Sequence, residues 1–95
     1  MTEKSQIREL TDLLRNGTET FWQRLRAELE ARGIDPAQTS VIESFEGDYR
    51  VESGVLVTPG ERVVRYEYDF YKHGDVGRGT FTTWADITDE YSGPR

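Results

Sequence analysis

The chain reads as a single α+β domain with two layers, a long N-terminal amphipathic helix packed on a four-stranded antiparallel β-meander. Two observations predict this. Apolar residues recur at helical spacing up to Leu29, and from Val41 onward the period switches to two, with turn residues between β-rich runs.

Wound at about 100° per residue, Ile7, Leu10, Leu14, Phe21, Trp22, Leu25 and Leu29 fall within about 120° of one another, one continuous apolar stripe. Asn16-Gly17-Thr18 resembles a stop followed by a new N-cap, but the stripe keeps its phase across Gly17. The expectation is therefore one helix over residues 5–32, bent at Gly17, with two short helices as the alternative. Such a rod would be about 40 Å long, longer than a strand, so one end would overhang the sheet. Its end is well marked. Gly33 suits the left-handed position, Ile34 supplies the accompanying apolar contact, and Asp35-Pro36 blocks continuation, which makes 33–40 a linker.

The predicted meander spans 41–88, with strands at 41–46, 51–58, 63–71 and 80–88 and a frayed tail at 89–95. Gly47-Asp48, Pro59-Gly60 and the Gly-rich stretch His73 to Gly79 supply the turns. An odd-length first loop sets Phe45 opposite Val51 and Val41 opposite Val55. Even-length loops then set Val57 opposite Val64, Val55 opposite Tyr66, Phe70 opposite Phe81, Tyr66 opposite Ala85 and Val64 opposite Ile87. In that register Val41, Phe45, Val51, Val55, Val57, Val64, Tyr66, Tyr68, Phe70, Phe81, Ala85 and Ile87 face the helix, and Ile42, Leu56 and Trp84 point outward.

Composition limits the chemistry. Ninety-five residues suit one core, and eleven aromatics offset an apolar fraction of only 35%. With no cysteine there is no disulfide, thiolate metal site or cysteine nucleophile. The net charge of −6 argues against nucleic acid, whose binding is driven by Lys and Arg. The excess sits in residues 41–95, with six basic and eleven acidic side chains, against six and seven in residues 1–40. No apolar run is long enough for a membrane span and the segment Met1 to Ile7 is polar, so a cytoplasmic protein with no membrane partner is expected.

The motifs that invite catalysis have simpler explanations. His73 is the only histidine and sits in a predicted turn with no nucleophile near it in sequence. The glycines from His73 to Gly79 lead into a strand, whereas phosphate-binding loops lead into a helix. Glu67, Asp69 and Asp86 would cluster on the outer face, where carboxylates usually meet water and where Arg65 opposite Asp86 would offset them. No catalytic residue, metal site or cofactor is expected, and the pattern leans away from an enzyme.

The outer face is the most informative surface, because Trp84, Leu56 and Ile42 would stand there among Glu67, Asp69 and Asp86. An aromatic anchor in an acidic surround suits a protein contact, with a basic partner favoured by charge. The overhanging helix would add a stripe for a second copy to cover, as in a two-fold homodimer. The leading expectation is a small acidic protein-interaction module that self-associates or binds a basic protein. The alternative is a small-molecule or enzyme-like domain whose helix and sheet enclose a pocket lined by Tyr66, Tyr68 and Tyr71.

Overall fold

A computed structural model describes residues 4–46, 51–70 and 79–93. Two helices, α1 (Lys4–Asn16) and α2 (Thr20–Ala31), precede one antiparallel sheet. Its strands β1 (Ser40–Glu46), β2 (Val51–Thr58), β3 (Arg62–Asp69) and β4 (Thr80–Asp86) lie in the order β1-β2-β3-β4. The expected α+β class and the meander are both present.

The single rod is not. Gly17 N–H makes the last helical bond of α1, to Leu13 O at 2.7 Å, and Glu19 is extended at φ −67°, ψ 149°. What holds the break is a side chain from the far side of it. The Arg26 guanidinium donates to Leu14 O and to Gly17 O, both at 2.8 Å, supplying donors that the end of a helix otherwise lacks. The Trp22 ring lies so close to Gly17 that an added Cβ would stand 3.0 Å from it. From Leu10 to Leu29 the apolar stripe of both helices, folded at this joint, faces the main core, while Ile7 packs on the second cluster of Ile42, Val55 and Val63. The one helix expected to overhang the sheet is two helices, α1 and α2.

α2 ends as expected. Gly33 has φ 75°, Ile34 N–H reaches Leu29 O at 2.9 Å, and Gly33 N–H reaches Glu30 O at 3.0 Å. The linker then makes one 3-10 turn, Pro36–Gln38, whose Ala37 N–H donates to the Asp35 carboxylate at 2.9 Å. It delivers β1 beneath α1, where Val41 N–H donates to the buried Thr11 hydroxyl at 3.0 Å.

None of the predicted cross-strand pairs holds: five are off by one residue, and those of Phe45 and Phe81 by two. Observed partners are Val57↔Val63, Leu56↔Val64 and Gly54↔Tyr66 between β2 and β3. They are Tyr66↔Trp84, Arg65↔Ala85 and Tyr68↔Phe81 between β3 and β4. Phe45 lies opposite Ser53 and Val41 opposite Leu56 in the first pair. Three local features cause the difference. The β2-β3 turn is three residues long, Pro59-Gly60-Glu61, with Gly60 at φ 81° and Glu61 at φ 58°. Ile42 is an extra residue in β1 and Thr82 an extra residue in β4, each a β-bulge.

Only β3 therefore keeps its predicted face. Val64, Tyr66 and Tyr68 face the helices, joined by Val41, Leu56, Phe81 and Trp84. Val55, Val57 and Ile87 turn to the other side, where Val55 and Val63 form a second cluster with Ile42. The expected frayed tail is anchored there as far as Tyr91, whose N–H donates to Ile87 O at 2.9 Å and whose side chain packs on that cluster.

The main core is an aromatic path between the layers. Phe21 sits 4.8 Å from Trp22, 5.3 Å from Tyr68 and 6.0 Å from Tyr66, and Phe81 continues the path 4.9 Å from Tyr68. Tyr66 is wholly buried and lies across Gly54, its cross-strand partner. A Cβ at Gly54 would come within 2.5 Å of the Tyr66 hydroxyl and 2.6 Å of Glu43 O. Alanine ordinarily gains in a strand over glycine, but here Gly54→Ala should destabilise by about 1–3 kcal/mol through overpacking. Thermal unfolding should show the midpoint falling by roughly 5 °C or more.

Candidate functional site

The helices cover one face of the sheet, and the chemistry of the domain is set by what remains open. On the uncovered face, Phe45 from β1, Val55 from β2 and Arg65 from β3 stand in neighbouring rows, with Ile87 and Tyr91 closing the far side. Together with Glu43 and Ser53 they line a groove of about 480 Å³. Phe45 is 54% exposed, which for a phenylalanine is an unburied apolar ring at the lip of the groove. Its exposure follows from the bulge at Ile42, which carries the residues after it to the opposite parity from the predicted one.

The expected acidic cluster is divided between two places. Glu67 lies on the open face, accepting from the Thr83 hydroxyl at 2.8 Å and paired with Arg65 at 3.4 Å. Asp69 is two residues further along the same row of β3, opposite Thr80. Asp86 stands apart from both. It lies opposite Val64 and is bound by Arg62 at 2.9 Å, not by Arg65. Its second oxygen accepts from Thr88 N–H at 2.9 Å and from the Thr88 hydroxyl at 2.6 Å, while Thr88 in turn accepts from Val63 N–H at 2.8 Å. Asp86 is thus a latch joining the end of β4 to the start of β3.

The apolar residues expected beside this cluster are elsewhere. Leu56 and Ile42 are buried, Leu56 under the helices and Ile42 in the second cluster. Trp84 is half-buried on the helix side, edge-on to Phe81 at 5.8 Å and covered by the Arg32 guanidinium at 4.4 Å. The bulge at Ile42 exposes Phe45, the three-residue β2-β3 turn hides Leu56, and the bulge at Thr82 turns Trp84 inward.

Of the three tyrosines expected to line a pocket, Tyr66 is enclosed in the core and Tyr68 borders a cleft. The Tyr66 hydroxyl is sealed in the core with no hydrogen bond of good geometry. Burial and the Glu52 carboxylate push its ionisation well above the usual tyrosine value, with the Ser44 hydroxyl acting in the other direction. Tyr68 borders a separate cleft of about 260 Å³ with Arg24, Ala27, Glu28, Gly79, Thr80 and Phe81. Tyr71 and His73 lie outside the described residues. Among the described residues no group of three or more His, Cys, Asp or Glu side chains could hold a metal ion, and no helix is long and apolar enough to cross a membrane.

Sequence reasoning missed Phe45 and Tyr91. A signal for the first was present: Glu43 shares strand parity with Val41 and Phe45, and a carboxylate between two residues assigned to a buried face is the mark of a bulge. Comparison of the chain with family models, with curated proteins and with solved structures finds no match.

The Asp86 latch has a pH signature. Bonds from Thr88 first, then the Arg62 guanidinium, hold its carboxyl at about 2, below the ordinary value of 3.8. A group depressed on folding contributes stability that is fully present above its unfolded value and is lost as pH falls through its folded one. Wild-type stability should therefore decline between about pH 4 and pH 2, followed by urea unfolding at each pH. Asp86→Asn should start lower at neutral pH and show a shallower decline over that interval.

Proposed function

We propose that this domain is a protein-interaction module without catalytic activity of its own, whose contact surface is the open face of the sheet around Phe45. The observation that carries this reading is the groove between Phe45 and Tyr91, on the face of the sheet opposite the main core. Charge chooses between partners. The rows of this face carry Glu43, Glu67 and Asp69 against Arg65, on a chain of net charge −6. Two copies would bring like charges together, whereas a basic protein would be steered toward the face and held by it.

Strand addition at the sheet edges is the less favoured mode of contact. Each edge strand carries a bulge, at Ile42 and at Thr82, and the Thr11 hydroxyl already occupies Val41 N–H on β1. Bulged and covered edges are poor templates for another strand. A face-on contact leaves these devices undisturbed.

Phe45→Ser removes the ring without touching the buried core, and Glu43→Lys with Glu67→Lys reverses the local charge. Affinity capture followed by titration of the purified partner should show binding to wild type weakened about fivefold or more by Phe45→Ser. The charge reversals should slow association and reduce its salt dependence. Equal affinity for wild type and all of these variants would refute the assignment of this face.

A further inference from the structure

The open-face groove presents a pair of side chains that the chain elsewhere uses to hold a guanidinium. At the end of α2 the Arg32 guanidinium lies 4.4 Å from the centre of the Trp84 ring and bonds the Glu28 carboxylate at 2.8 Å. One planar cation is thus shared between a ring face and a carboxylate, two partners that a guanidinium can engage at once. On the other side of the sheet Phe45 and Glu43 offer the same combination. They alternate along β1, about 7 Å apart, and both line the groove. The Phe45 ring, 54% exposed, is open to an incoming group.

The rest of the lining suits the stem of such a cation. Val55, the cross-strand partner of Glu43, lies at the floor, and Ile87 and Tyr91 close the far side. A groove of about 480 Å³ is of the size that takes one ligand-sized group. The methylenes of a long cationic side chain bury well against apolar walls of this kind. Arg65, the cation of the lining, stands at the other end of the row. It is separated from Glu43 by Val55, about 10 Å away across two strand spacings. Its guanidinium is paired with Glu67 at 3.4 Å, which offsets its charge.

We infer that the groove receives one arginine side chain of the partner, its guanidinium stacked on Phe45 and bonded to Glu43, its stem against Val55 and Ile87. The inference rests on the reading of this face as a protein contact and names the residue through which a basic partner engages it. Arginine is favoured over lysine on geometry. A planar guanidinium stacks on the ring while presenting two N–H groups to the carboxylate, whereas an ammonium is a compact, strongly hydrated point charge.

N-acetyl-arginine methylamide is a suitable probe, with the citrulline analogue as its neutral counterpart of the same shape and the lysine analogue as a cation without a plane. Amide NMR titration of the full chain should show saturable shifts centred on Glu43, Phe45 and Val55 with the arginine probe. The citrulline probe should bind about tenfold more weakly, the loss expected when a charged hydrogen bond becomes a neutral one. The lysine probe should bind about threefold more weakly, for want of stacking on the ring. Glu43→Gln should weaken the arginine probe about tenfold, and Phe45→Leu about threefold. The arginine site is overturned by absence of saturable shifts, by citrulline or lysine binding as tightly as arginine, or by unaltered affinity in both variants. The two readings fail separately. Each of those outcomes strikes the arginine site alone, whereas the face itself is refuted by a captured protein partner that binds wild type and Phe45→Ser equally.

Discussion

Phe21 is the contact on which the two layers depend. Its ring touches Trp22 within the helical layer and Tyr66, Tyr68 and Phe70 from the sheet side, all at centroid distances of 4.8–6.2 Å. A chain with only 35% apolar residues has few ways to exclude water from a helix-sheet interface, and large rings that meet edge-on do so with few side chains. The arrangement succeeds because glycine is placed where the rings need room. Tyr66 lies flat over Gly54 and Tyr68 closes on Gly79, so two bulky residues sit close to the backbone of adjacent strands. Among the described residues, the large apolar side chains left exposed are Leu13 on α1 and Phe45 on the far side of the sheet.

The parts of this architecture visible in the amino-acid order are those fixed by periodicity over many residues. The helical stripe from Ile7 to Leu29, the Gly33 terminus and the four strands were all legible, because each is encoded several times over. Strand β3 was assigned its correct face because Val64, Tyr66 and Tyr68 alternate with Arg65 and Glu67, a contrast that admits one reading. β2 has no such contrast. Val55, Leu56 and Val57 are apolar in succession, so its phase is decided by Glu61 in the left-handed region and by a three-residue turn. Single-residue events of this kind have no period. The same holds for Thr82, whose insertion alone reverses Trp84 and Ala85.

The errors in the candidate surface descend from that one cause. Trp84 and Leu56 were placed on the open face by parity and are turned to the helix side, Ile42 stays in the open-face cluster but is buried there, and Phe45 takes an exposed position through the bulge at Ile42. The acidic character of the open face survives because Glu67 and Asp69 belong to β3, the strand whose phase was well determined. The helix break was misread for a different reason. Continuity of an amphipathic stripe measures which way side chains point, and two helices folded at a joint can satisfy it as well as one rod. The group that decides between them, Arg26, acts through space on carbonyls nine and twelve residues earlier.

That bridge has a consequence for how the domain opens. The carboxyl end of α1 is completed by a guanidinium that belongs to α2, so if α2 unravels, α1 is left with bare carbonyls. α1 in turn supplies the Thr11 hydroxyl that holds the Val41 amide near the start of β1. Loss of helicity at Arg26 is thereby transmitted to the leading edge of the meander, and the N-terminal half behaves as one cooperative unit in which no helix melts in isolation.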